Sequence, residues 1–196
     1  MLRILKFALA TLFALAVAGL AFTMPAQAAA GAKMVNYQYQ AQPNSFWCAP
    51  AAVRMAWSVV GTAPSQGEIA AKMGTTEDGT NDIGIVARAL SSGGIGAYKA
   101  TMVPQADKVQ IANFQKDVVH TIDAGRAVVV NVAGSGVDTA GNVHSFPGHY
   151  VTVVGYETGG SVVTVGDSAD PAIARYTMSV AQLADWMAPK GYASVQ

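Results

Sequence analysis

A single cysteine, Cys48, serves the whole 196-residue chain, so no internal disulfide can staple it. Charge is sparse: Lys, Arg, Asp and Glu make up 12% of the residues, 12 basic against 12 acidic. Nowhere do Lys and Arg gather into a face or stripe, which argues against nucleic acid and anionic membrane surfaces as partners. The three histidines and one cysteine lack metal-ligand spacing, so no metal or other cofactor is expected. There is no internal repeat and no linker. After residue 28, no apolar run is long enough to cross a bilayer.

What is present begins with a processing pattern. Residues 1–28, MLRILKFALATLFALAVAGLAFTMPAQA, place Arg3 and Lys6 ahead of an uncharged apolar run that ends in Ala26-Gln27-Ala28. That is the layout of a secretory signal peptide, and it predicts a secreted or cell-envelope protein. An uncleaved anchor is the competing reading, because the run approaches bilayer-spanning length. The small-residue cleavage site favours removal, and with it no stable membrane association. Arg3 and Lys6 leave with this segment, so ten basic residues face 12 acidic ones, a net charge near −2. The remaining length suits one domain with a proper core, expected to be a monomer.

Residues 29–41 read as a short lead-in, mobile and then extended, too short to block a groove as an inhibitory segment. Residues 42–196 form the domain. From Pro50 to Val60, Ala, Val, Met and Trp recur at helical spacing, with proline in the tolerated first turn. Ser65 and Glu68 make a capping box for a second helix that stops at Gly74. Residues 82–91 give a third. After Gly96 the pattern turns extended: AYKATMV, then a helix over 110–124, then the β-branched AVVVNVA at 127–133. A Gly-rich loop over 134–148 leads into HYVTVVGY and SVVTVGD, paired as a hairpin through Gly159-Gly160. ARYTM adds a strand and Ser179 caps a final helix. Helices first and antiparallel strands after make an α+β fold, an N-terminal helical part packed on a C-terminal sheet.

A lone thiol can be a buried small hydrophobe or a nucleophile. Cys48 stands just before the helix begun at Pro50, where the macrodipole and free N–H groups favour a thiolate and can donate to an oxyanion. Gln42 is a candidate side-chain donor to that oxyanion, with Asn44 and Gln40 also close in sequence. Among the histidines, His120 falls within a helix and His144 in a Gly-rich loop with nothing to fix its ring. His149 opens a strand, where a sheet would hold it as a general base must be held. Asp167 ends the strand expected to pair with the one that His149 begins, so the two should be neighbours. Asp170, before Pro171, is the rival and also suits a turn. Trp47 and the loops 75–82 and 134–148 are candidate walls of a cleft.

Gln42 and Cys48 in a Q-x5-C arrangement, WCAPAA, GHYVTVVGY around His149 and the strand-end Asp167 together resemble the papain-like cysteine peptidases. Within them the match is to the bacteriocin-processing, double-glycine leader peptidases, in the form of their stand-alone secreted relatives. The resemblance implies a papain-like fold and hydrolysis of a peptide or amide bond through an acyl-thioester. It makes Cys48 the nucleophile, His149 the base, Asp167 the orienting carboxylate and Gln42 the oxyanion donor, acting on a peptide or protein. Ala49 stands where glycine is usual, adding a methyl group beside the thiol that is expected to narrow the site, and DSADP replaces the usual Asp-Pro after the strand. Two other readings compete: a catalytically idle module that clamps peptides, and a cell-wall amidase or acyl transferase.

Overall fold

The computed structural model describes residues 31–196; the predicted signal peptide lies outside them. In chain order the elements are β1 (Lys33–Met34), α1 (Cys48–Ser58), α2 (Gln66–Met73), α3 (Ile83–Ser92), β2 (Tyr98–Met102), α4 (Lys108–Asp123), β3 (Val128–Val137), β4 (Val143–Glu157), β5 (Val162–Gly166), β6 (Arg175–Ser179), α5 (Val180–Met187) and β7 (Gly191–Val195). The strands form one antiparallel sheet in the order β2-β7-β3-β4-β5-β6, with β1 added beside the far end of β4. This is the expected α+β architecture. Among the described residues, no helix is long and apolar enough to cross a membrane.

The helices start where the sequence supplies caps. Ser65 and Glu68 close a reciprocal capping box on α2, and Gly74 ends it in the left-handed region at φ 64°. Asp82, Asp107 and Ser179 each accept a backbone N–H in the first turn of α3, α4 and α5. α1 is the exception: it starts at Cys48 itself, two residues earlier than the proline suggests, with Trp47 at the cap position and no side-chain cap.

The central strand β4 is buried without a break from His149 to Tyr156, so both of its faces are covered. α1 docks on it through a hydrogen bond from Thr152 Oγ1 to the Ala52 carbonyl, 3.1 Å. Valines of β3, β4 and β5 fill the middle of the core. The extended lead-in is tied to the body, with Val35 N–H donating to the Val154 carbonyl and Gln38 N–H to Ser58 Oγ.

Two parts of the chain differ from the sequence-based reading. The expected loop over 134–148 is largely strand: β3 runs to Val137, β4 begins at Val143, and the two continue as one hairpin past a bulge between Val132 and Gly134. Glycines lower strand propensity but do not forbid pairing, and Asp138 closes the turn by accepting from Ala140 N–H and Asn142 N–H. The second difference is β7, a short segment with one β-branched residue, stabilised by insertion between β2 and β3 rather than by its composition.

Candidate active site

Three elements meet at one end of the sheet. α1 brings Cys48, which is 7% exposed. β4 brings His149, and the end of β5 brings Asp167, both buried. Because β4 and β5 pair antiparallel, with Thr152 opposite Gly166, the next residue of the returning strand lies within reach of the imidazole. His149 Nε2 meets Asp167 Oδ1 at 2.7 Å. That leaves Nδ1 unbonded to Asp167, and Cys48 and His149 line one cavity, where Cys48 is among the groups that favour a proton on the imidazole. The rival Asp170 is exposed and accepts from Ala172 N–H, capping the turn at Pro171–Ile173.

The electrostatics of this group follow from its partners. Burial works against charge on His149, but the Asp167 carboxylate and Cys48 outweigh it and raise its pKa to about 9. Burial likewise disfavours charge on Asp167, yet the bond to His149 and those from Ala169 N–H and Tyr176 O–H hold its pKa below the usual value. The charge-paired form of the two groups is therefore the favoured one at neutral pH. The face of the His149 ring is covered by Phe146, stacked with centroids 4.1 Å apart, which limits its rotation.

At the start of α1, no side chain caps the helix and no acidic residue stands in the first turn. The N–H groups of Cys48 and Ala49 thus lack the usual intrahelical partners, and Pro50 has none to offer. The three amide candidates separate by placement. Gln40 Oε1 accepts from Gln66 Nε2, and Asn44 Oδ1 accepts from Phe46 N–H within its own turn. Gln42 lines a cavity with His149, Gly148, Phe146 and Ala169. Its Nε2 donates to the Asn44 carbonyl at 2.8 Å and its Oε1 accepts from Ser168 Oγ at 3.0 Å. One N–H of that amide remains to donate.

A second cavity, about 280 Å³, opens directly on Cys48 and His149. The loop residues Glu77 to Asn81 wall it, together with Ser45, Phe46, Asn131, Gly148, Tyr150 and Lys190. Tyr150 O–H donates to the Thr80 carbonyl and accepts from Asn131 Nδ2, so this loop is tied to the sheet. Loop 75–82 thus stands where a cleft wall was expected, and of 134–148 only Phe146 to Gly148 do so.

Two expectations need correction. Trp47 does not line either cavity; its ring packs toward Gly67 of α2, and Phe46 takes the cleft position instead. The Ala49 methyl group does not narrow the cleft, because Ala49 is fully buried in the core beneath α1.

His144 also departs from its description as a loop residue with a free ring. It is buried in β4, its Nε2 lies 3.2 Å from Asp138 Oδ2, and it stacks on Tyr176. His120 is exposed on α4, as a helix-surface residue should be. Sequence reasoning missed Tyr176 and Phe146; ARYTM flagged a strand, but nothing marked its tyrosine as facing a carboxylate. Among the described residues, no group of His, Cys, Asp and Glu could hold a metal ion.

The profile of the Peptidase_C39 like family matches residues 34–194. The peptidase domain of Streptococcus ComA, a bi-functional ABC transporter involved in a quorum-sensing pathway, is 18% identical. It aligns over 82% of this chain and 100% of its own length with a TM-score of 0.55. A C39-like peptidase from Bacillus anthracis is 12% identical over 84% of this chain and 98% of its own, TM-score 0.57. A double-glycine-motif protease from an AMS/PCAT transporter, solved with its leader peptide, is 12% identical over 84% and 95%, TM-score 0.53. These likenesses concern the fold. No curated protein matches the chain.

Proposed function

Because the chain belongs to the Peptidase_C39 like family, we propose that it is an exported cysteine peptidase that cuts a peptide or amide bond with Cys48, His149 and Asp167. The observation that carries this reading is an imidazole bonded to a buried carboxylate at 2.7 Å and sharing one cavity with the thiol at a helix start. Export rests on the signal pattern of residues 1–28.

The chemistry follows from the charge on His149. An imidazole with its pKa near 9 already holds a proton at pH 7, and the form of the site that reacts is an ion pair of Cys48 thiolate and His149 imidazolium. The helix start favours that thiolate. Cys48 Sγ attacks the substrate carbonyl carbon, and the oxyanion accepts from the Cys48 N–H and the free N–H of Gln42. His149 gives its proton to the leaving amine as the C–N bond breaks, leaving an acyl-thioester on Cys48. The imidazole, now neutral, takes a proton from water, whose oxygen attacks the thioester. Carboxylic acid leaves and the ion pair is restored. His149 therefore acts first as an acid and then as a base.

The test uses a mixture of peptides of diverse sequence, incubated with the protein lacking residues 1–28 and with its Cys48→Ala variant, then analysed by mass spectrometry. New termini generated by the first protein and absent with the second are expected. Peptides retained but uncut after long incubation with both would replace the enzyme reading with that of a binding module.

A further inference from the structure

The site described above uses one face of Asp167. The other face leads to a second buried histidine–aspartate pair. Asp167 has no solvent exposure. Its Oδ1 accepts from His149 Nε2 at 2.7 Å and from Ala169 N–H at 2.9 Å. Its Oδ2 accepts from Tyr176 O–H at 3.0 Å. Tyr39, the other tyrosine whose charge would be felt by Asp167, buries its hydroxyl without a hydrogen-bond partner. Tyr176 is thus the side-chain hydroxyl that holds Oδ2, and a buried carboxylate oxygen left without a donor is costly.

Tyr176 is itself held with unusual care. Its ring stacks on His144 at 3.9 Å between centroids and 17° between planes. His144 Nε2 lies 3.2 Å from Asp138 Oδ2. Asp138 is fixed in turn by Ala140 N–H, Asn142 N–H and Asn142 Nδ2, all within 3.0 Å. The same turn is stitched to β6 beside Tyr176, through Thr139 N–H to the Thr177 carbonyl and contact between the two hydroxyls. The tip of the β3–β4 hairpin therefore reaches over to clamp the one strand that carries this tyrosine.

We propose that Tyr176 is a positioning residue: its hydroxyl, with its ring braced by the Asp138–His144 pair, fixes the Asp167 carboxylate in the orientation that faces His149. The proposal rests on the reading of Cys48, His149 and Asp167 as the reacting group. It assigns to the second histidine–aspartate pair the task of holding a tyrosine rather than a chemistry of its own. The ionisable groups around Asp167 are His149 from β4, Tyr176 from β6, Tyr39 from the lead-in and Asp170 across the following turn, with Cys48 beyond His149. Of these, Tyr176 and His149 bond the carboxylate directly.

Tyr176→Phe keeps the ring and its stack and removes only the hydroxyl. Two readouts are taken on the protein lacking residues 1–28. One is the rate of Cys48 alkylation by iodoacetamide from about pH 4 to about pH 9, unambiguous because Cys48 is the sole cysteine. The other is the Asp167 carboxyl carbon titration by NMR. Loss of one hydrogen bond to a charged acceptor moves the Asp167 midpoint up by about one pH unit, and the acid limb of alkylation moves with it. His144→Leu, which removes the brace, shifts both in the same direction by less. The double variant shifts no further than Tyr176→Phe alone, as two residues acting in series require. Tyr156→Phe, whose hydroxyl bonds Asp123 instead, leaves both curves in place. Curves of Tyr176→Phe that superimpose on the wild type would overturn the proposal. A wild type whose thiol never alkylates at acid pH would overturn the catalytic reading, while the Asp167 midpoint would still decide the role of Tyr176.

Discussion

Replacing Asp167 by asparagine removes one charge from the site and almost no volume. The amide oxygen can still accept from His149 and Ala169 N–H, and the Tyr176 hydroxyl can turn to accept from the amide nitrogen, since a phenol both donates and accepts. What is lost is the negative charge that outweighs the burial of His149. The present rise from the ordinary 6.5 to about 9 corresponds to roughly 3 kcal/mol in favour of imidazolium. With the carboxylate gone, burial is left as the main influence and pushes the ring below 6.5. The measurement is the His149 Cε1–H titration by NMR, resolved from exposed His120 and buried His144. A fall of at least about two pH units is expected. The sign carries over to stability. A group whose folded-state pKa is raised stabilises the fold fully below its unfolded value of about 6.5, and that contribution disappears as pH climbs through about 9. Urea unfolding of the wild type should therefore weaken across that window, and Asp167→Asn should lose this slope. Alkylation of Cys48 at pH 6 should slow as well, because a neutral ring supports a thiolate less well than an imidazolium. A variant whose His149 midpoint stays within half a unit of the wild type would refute the argument, because the charge on Asp167 would then not be what holds the proton.

Removing the Gln42 amide by Gln42→Ala should cut turnover of whatever peptide the protein is found to cleave by about 10²–10³-fold, with KM little changed; equal kcat for the two proteins would assign the oxyanion to the helix start alone. Gly136→Ala should destabilise by about 1–3 kcal/mol in urea unfolding. A Cβ there would meet the ring of Trp186 at 2.7 Å, and that ring is pinned by its own bond from Nε1 to the Gly134 carbonyl. Because Trp186 stacks near both Phe146 and His144, the same substitution should also disturb the NMR signals of His149, and unchanged signals would show that the aromatic cluster does not reach the site.

The parts of this molecule that could be read from the sequence are those whose signal is local. A serine three residues ahead of a glutamate marked the start of α2, and a run of valines marked β3, because each structure is specified by neighbours along the chain. Even the meeting of His149 and Asp167 was a local matter, since one hairpin fixes which residues stand opposite each other. Cys48 needed one longer step, the docking of α1 on β4. Ala49 departs from expectation because, one residue past the thiol, the helix has already turned its side chain into the core. Trp47 departs likewise, its ring swinging to α2 while Phe46 kept the cleft.

The supports of the site were illegible for a different reason. Asp138, His144 and Tyr176 carry no motif, and their meaning comes from a hairpin tip that reaches β6, an element 38 residues away at the Thr139–Thr177 contact. Glycine-rich composition hid that hairpin by lowering strand propensity where a bulge and an aspartate-closed turn restore the pairing. The consequence is an uneven division of information. The residues proposed to touch substrate are spelled out in short patterns, whereas the residues that hold them still are encoded only in how the sheet brings strands together. A substitution in the hairpin, at Asp138 or His144, should therefore look innocuous in the sequence and act on Asp167 through Tyr176.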